Sequence, residues 1–125
     1  MKHLLKNELL LSIPRLTPSN NVLLRMHYMK RRKLDDTWLW EVTIAAMEAE
    51  DGFPLATKDE RRTVKIVSYR KRRLDPDNFT GALKPLIDAL KKRCFIYDDH
   101  EKYIDLQAKQ VVDSKNERTE VIISW

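Results

Sequence analysis

The residues best suited to chemistry stand together at Asp75-Pro76-Asp77-Asn78, directly after Arg72-Arg73. Proline fixes its own φ and pushes the residue before it out of the helical region, so the chain through 75–77 is expected to be extended. Residues two apart in an extended chain point to the same side. Asp75 and Asp77 would then lie side by side, and two like charges so placed repel unless a cation sits between them. The preceding arginines offset part of that repulsion. A hard divalent ion such as Mg²⁺ does so more directly, because it takes carboxylate and water oxygens. A second acidic group, Asp98-Asp99 and then Glu101, follows Phe95-Ile96-Tyr97. Lys84 and Asp88 lie between the two groups, four apart and so on one helix face. Lys84 could then reach a phosphate held by the acids. Each feature also has an ordinary structural use: Asp77-Asn78 as a helix cap, Asp75-Pro76 as a turn, Asp98-Asp99 as a solvated loop, and Lys84 with Asp88 as a surface pair.

The elements that must position these residues follow from periodicity. Residues 7–13 read as a strand with Leu9, Leu11 and Ile13 on one face. Residues 25–33 show no period and read as a loop. Asp35 or Asp36 can cap a helix to about Glu50, with Trp38, Val42, Ala45 and Ala49 on one side and Trp40, Ile44 and Met47 beside them. Asp51-Gly52-Phe53-Pro54 ends it. Residues 62–69 read as a second strand with Val64 and Ile66 inward, followed by a loop over 71–76. A second helix is expected from Asp77 or Asn78 to about Lys92, with Phe79, Leu83, Leu86, Ile87 and Leu90 as its core face; Pro85 inside it marks a kink or a later start. Such a helix is about 22 Å long at ~1.5 Å per residue, so the two acidic groups meet only if the chain folds back after it or the sheet joins them. Residues 104–112, with Ile104, Leu106 and Ala108 inward, and 119–125 read as two further strands. The order β-α-β-α-β-β predicts an α+β fold with two main helices on a small mixed or antiparallel sheet.

The 125 residues suit one domain, and 42% hydrophobic content suffices for a core. A single cysteine, Cys94, excludes a disulfide framework and a Cys-rich zinc site. Two distant glycines, Gly52 and Gly81, exclude a Walker or dinucleotide cradle, so no nucleotide cofactor is expected. No apolar run approaches the ~18 residues of a membrane span. Met1-Lys2-His3-Leu4-Leu5 lacks the pattern of a cleaved leader. A cytoplasmic protein without membrane partners is expected. Lys plus Arg number 24 against 19 Asp plus Glu, for a net charge of +5. Residues 9–34 contain no acid but hold Arg15, Arg25, Lys30, Arg31, Arg32 and Lys33. Residues 61–74 contain none but hold Arg61, Arg62, Lys65, Arg70, Lys71, Arg72 and Arg73. Two basic blocks beside an acidic cluster fit a polyanion-binding surface around a carboxylate site. A solvated charged surface is the plain alternative.

Asp75-Pro76-Asp77-Asn78, then Lys84, Leu86-Ile87-Asp88-Ala89-Leu90 and Asp98-Asp99, together resemble the signature of RusA-type Holliday junction resolvases. Pro18-Ser19-Asn20-Asn21 followed by Arg25 resembles the Pro-Ser-x-Asn segment of that family. The spacing from Asn78 to Lys84 is longer than in the founding member, and the connection after Asp113 lacks glycines. The resemblance implies a homodimeric endodeoxyribonuclease of RusA-like fold over residues 1–125 that uses Mg²⁺ or Mn²⁺ to nick four-way DNA junctions symmetrically, in recombination and repair. It implies Asp75, Asp77 and Asp99 as catalytic acids and metal ligands, Asp98 as a further ligand, and Lys84 as the catalytic lysine. Arg25, Lys30, Arg31, Arg32, Lys33, Arg70, Lys71, Arg72 and Arg73 would grip DNA. Related readings are a nuclease for other branched DNA, a non-catalytic nucleic-acid-binding module, and a small basic interaction protein.

Overall fold

The computed structural model describes residues 7–49 and 54–125. Four strands form one mixed sheet: β1 (Glu8–Ile13), β2 (Arg62–Arg70), β3 (Ile104–Val112) and β4 (Arg118–Ser124), in the order β1-β4-β2-β3. β4 runs antiparallel to both β1 and β2, whereas β2 and β3 are parallel. A parallel pair needs a long crossover, and two short helices supply it, α3 (Pro76–Ala82) and α4 (Lys84–Lys92). Between β1 and β2 lie α1 (Asn20–Arg25) and α2 (Tyr28–Glu48). With α3 and α4 taken as one interrupted helix, the order is β-α-α-β-α-β-β, an α+β protein.

Alternation places Leu9, Leu11, Ile13, Val64, Ile66, Val121 and Ile123 on the sheet face that the helices cover. Trp38, Val42 and Ala45 of α2 and Leu86, Ile87 and Leu90 of α4 close over them. Such aliphatic side chains contribute about 1.5–3 kcal/mol each when fully buried. The core residues expected on β1, β2 and these helices are therefore found in the core, except that Ala49 is only partly buried and Trp40 and Met47, expected beside the stripe of α2, are exposed. β3 differs. Ile104 is buried, but Leu106 and Ala108, expected inward, are exposed, because β3 is an edge strand that the helical layer does not reach.

Three local expectations are corrected. Residues 25–33 are not a loop. Ser19 Oγ accepts from the Val22 N–H to cap α1, and His27 Nδ1 accepts from the Met29 N–H to cap α2. The first turns of α2 leave Tyr28 and Met29 exposed, so no apolar stripe announces them. The second correction concerns the interrupted helix. Pro85 has no N–H to offer the Gly81 carbonyl, and its ring would collide with that group in a continuous helix. The chain breaks at Leu83 and restarts at Lys84. Third, Asp75 rather than Asp77 or Asn78 is the N-cap of α3, with Pro76 in the first turn, where proline is well tolerated. The expected helix stop at Asp51-Gly52-Phe53 lies outside the described residues; α2 itself ends at Glu48.

Gly81 is where α3 meets α1. A Cβ there would sit 2.3 Å from Asn20 Cγ and 2.6 Å from Asn20 Cβ. Gly81→Ala is expected to push α1 off α3 and destabilise the fold by about 1–3 kcal/mol, read from the midpoint of urea unfolding at unchanged slope.

Candidate active site

Both carboxylate oxygens of Asp75 are engaged by Asn78. Oδ1 accepts from the Asn78 N–H at 2.9 Å, and Oδ2 accepts from Asn78 Nδ2 at 2.9 Å. The extended run expected through 75–77 is absent: Asp75 is extended, but Pro76 and Asp77 already belong to the first turn of α3. Asp77 is exposed there at the positive end of the helix, where a carboxylate is favoured. Asn78 also reaches the other end of the chain, its Oδ1 accepting from the Asn21 N–H at 3.1 Å. The Pro18-Ser19-Asn20-Asn21 and Asp75-Pro76-Asp77-Asn78 segments are thereby joined across 57 residues. The approach to Asp75 is held by β3. Gln110 Oε1 accepts from the Leu74 N–H at 2.8 Å, and Gln110 Nε2 donates to the Leu74 carbonyl at 2.9 Å.

The second acidic pair is placed by the end of α4. The Phe95 N–H donates to the Leu90 carbonyl at 3.0 Å and the Cys94 N–H to the Lys91 carbonyl at 3.0 Å. This is the Schellman pattern, with Cys94 at φ 61° in the left-handed position that glycine usually fills. Phe95 and Ile96 are buried, and the chain turns back along α4. Lys84, Asp88 and Lys91 form one stripe on that helix. Lys84 Nζ bonds Asp88 Oδ1 at 2.9 Å and Asp99 Oδ2 at 3.2 Å, and Lys91 Nζ bonds Asp98 Oδ1 at 3.1 Å. The hydrogen bond to Asp88, then that to Asp99, raises the Lys84 pKa against partial desolvation. The hydrogen bond from Lys91, then that from the Asp99 N–H, lowers the Asp98 pKa.

The chain does fold back after α4. It brings Asp99 to Lys84 at the junction of α3 and α4. It does not assemble the expected acids into one ligand set. Asp75 and Asp77 stand at the N-terminal end of the seven-residue α3, and Lys84 with Asp99 lies beyond its other end, about 10 Å of helix away. Among the described residues no group of three or more His, Cys, Asp or Glu side chains is arranged to hold a metal ion.

The basic residues separate into two kinds. Arg70 is buried at the inner end of β2. Its Nη2 donates to the Thr17 carbonyl at 2.9 Å and to Thr17 Oγ1 at 3.3 Å, and its guanidinium stands 6.0 Å from the Phe79 ring centroid. Desolvation lowers its pKa, with the Glu117 charge opposing. The expectation that Arg70 grips DNA is corrected: it braces β2 against the segment before α1. Arg25, Lys30, Arg32, Lys33, Lys71, Arg72 and Arg73 are exposed, whereas Arg31 is half-buried and paired with Asp35 at 3.1 Å. Arg25 and Lys30 line a groove of about 420 Å³ with Val22, Met26 and His27. The 71–73 stretch leads straight into Asp75, and the Lys71 N–H is tied to Glu117 Oε2 at 3.1 Å. Thr17, Gln110 and Glu117 were not found from the sequence. Their partners are 36 to 53 residues away, and no local spacing marks them.

Two outcomes check this placement. Cys94→Gly should keep full stability, whereas Cys94→Val, branched at Cβ in a left-handed position, should lose about 1–2 kcal/mol. Asp98 has a lowered folded pKa, so its contribution to stability is present near neutral pH and is lost as pH falls through the acid range. In Lys91→Met that contribution should shrink, and the decline of stability between about pH 5 and pH 2 should become shallower in denaturant titrations. Comparison of the chain with protein-family models and with curated proteins finds no match in either.

Proposed function

We propose that the chain is an endodeoxyribonuclease acting on branched DNA, with four-way junctions as the first substrate, using acids whose order along the chain resembles the RusA signature. The observation that carries this reading is the contact between the Asn21 N–H and Asn78 Oδ1. It joins two of the segments behind the resemblance beside Asp75 and Asp77, and exposed cations lie on the 71–73 stretch that leads into Asp75 and, with Arg25 and Lys30, in the groove between α1 and α2. Arg25, Lys30, Arg32, Lys33, Lys71, Arg72 and Arg73 would contact phosphates, which positions DNA without reading its sequence. Asp77 is the acid of the first pair whose carboxylate caps nothing. Lys84, charged and half-exposed, is suited to stabilising charge that develops on a phosphate oxygen. Asp75 would hold Asn78 and so the docking of α1, and Asp98 would hold the turn that presents Asp99. Recombination or repair in the cytoplasm is the proposed setting. No helix among the described residues is long and apolar enough to cross a membrane.

The carboxylates are the donor class that Mg²⁺ or Mn²⁺ prefers. Their arrangement is not a three-ligand site, and Lys84 and Lys91 occupy Asp99 and Asp98. The metal enters the proposal through the resemblance alone. The same arrangement favours a second reading, a non-catalytic module that binds branched DNA and in which the acids cap and brace helices.

Labelled four-way junction, flap and plain duplex, each incubated with and without Mg²⁺, separate the readings. The nuclease reading expects nicks in branched DNA that need the divalent ion and vanish in Asp77→Asn while binding persists. Cleavage by Asp77→Asn at the wild-type rate would refute the assignment of that acid, and binding without nicks under any condition would leave the binding module. Arg72→Ala should weaken binding to all DNA forms alike and reduce the slope of log affinity against log salt by about 0.9.

A further inference from the structure

We propose that the corner where α1 meets α2 binds an unpaired nucleotide, its base against Tyr28 and the groove beside it and its phosphates on Arg25 and Lys30. This rests on the reading of the chain as a DNA-binding protein and deepens it, and it needs no cleavage. Val22, Leu24, Tyr28 and Met29 are all exposed, Leu24 to 76% and Tyr28 to 66%. Exposed apolar groups gathered in one place mark a binding surface, whereas scattered ones need no explanation. The corner is also a built shape. Leu23 is buried, Ser19 and His27 cap the two helices, and the Met26 N–H donates to the Leu23 carbonyl at 3.2 Å. The groove of about 420 Å³ lies in it, lined by Val22, Arg25, Met26, His27 and Lys30, and has the size of a small-ligand site. The ring centroids of His27 and Tyr28 are 4.8 Å apart, so an aromatic surface borders the groove.

The occupant is chosen by charge, shape and position. Residues 9–34 contain no acid, and Arg25 and Lys30 form no ion pair among the described residues. The partner is therefore anionic, and its apolar part must fit between a valine, a methionine and an imidazole. A nucleotide combines both properties: every base has a π-face that stacks on aromatic side chains, and its phosphates suit Arg and Lys. A base inside a duplex has both faces covered by its neighbours, so only one out of pairing offers a face. An anionic membrane shares the charge but asks for a long amphipathic helix lying in its plane; α1 has six residues and ends in extended backbone at Met26. Asn20 against Gly81, and the Asn21 N–H on Asn78 Oδ1, fix α1 to α3. Arg25 lies about 6 Å of helix beyond Asn21, so one strand can touch both the corner and the Asp75 segment. The site thus favours flaps, gaps and opened branch points over continuous duplex, a distinction that phosphate contacts alone do not make.

A flap carrying 2-aminopurine as its first unpaired nucleotide, and a plain duplex of the same sequence, test this with the full chain in EDTA at fixed salt. The wild type should bind the flap about five-fold or more tighter than the duplex and quench the 2-aminopurine, because the base stacks. Tyr28→Ala should lose the quenching and about five-fold or more of flap affinity, with duplex affinity unchanged. Tyr28→Phe, which keeps the ring, should retain both. Lys30→Ala should weaken flap and duplex alike. Equal binding of flap and duplex by the wild type overturns the inference and leaves the DNA reading standing. So does a Tyr28→Ala protein that matches the wild type, or one that weakens on both DNA forms equally. Failure to bind either DNA overturns both. Phosphatidylserine vesicles that bind the wild type but not Tyr28→Ala, while flap binding is unchanged by that substitution, would give the corner to a lipid surface and overturn the inference. If Tyr28→Ala does not fold, as judged by circular dichroism, Tyr28→Leu, apolar but without the ring, takes its place.

Discussion

A proline that cannot accept its place in a helix sets the geometry on which the rest depends. Pro85 has no N–H for the Gly81 carbonyl, so the crossover between the parallel strands is two helices rather than one. Lys84 thereby becomes the first residue of a new helix instead of the middle of an old one. The restart lets the buried side of α4, with Leu86, Ile87 and Leu90, meet the sheet and α2 while Phe79 of α3 packs over Arg70. Lys84 faces out at the junction, where the returning chain delivers Asp99.

The returning chain is itself the product of a local constraint. Two backbone hydrogen bonds at the end of α4 force Cys94 into a left-handed conformation, and burial of Phe95 and Ile96 holds the reversal. The lysines of α4 then meet the acids of the turn in alternating sign. Exposed ion pairs contribute little to stability because water and salt screen them. Their effect is on arrangement. They match Asp99 to Lys84 and Asp98 to Lys91, while the path of the backbone after α4 is what brings both acids to that helix.

β2 carries a charge at each buried end, and both are hydrogen-bonded because an unpaired buried charge is costly. Arg62 donates to the carbonyls of Phe95 and Pro54 and pairs with Glu60, and its guanidinium lies 4.9 Å from the Trp125 ring centroid. Arg70 does the corresponding work at the other end with Thr17. The two arginines tie the sheet to loops far away in sequence. Part of what reads as a basic, DNA-facing block is therefore internal bracing. Of the exposed remainder, Arg61 and Lys65 stand before and on β2, and 71–73 lies in the stretch that leaves the sheet after Arg70.

What the sequence determined by itself is the set of elements whose cause is local. Alternation along 7–13, 62–69 and 119–125 reports which side chains leave water, and the 38, 42, 45 spacing reports the buried stripe of α2. The strands and that stripe are accordingly found as read. The cap at Asp75, the break before Pro85 and the reversal after Lys92 are also local, though the cap stands two or three residues before the Asp77 or Asn78 that the spacing predicts. Tertiary structure decided everything that depends on what covers what. The helical layer stops short of β3, so Leu106 and Ala108 have an inward pattern without an inward environment. Arg70 and Arg72 are alike in sequence, yet one is enclosed by Thr17 and Phe79 and the other is in water. Whether separated acids share one site depends on the path of the backbone between them. One turn of helix changes that path by about 5 Å, and no residue spacing in the sequence encodes it.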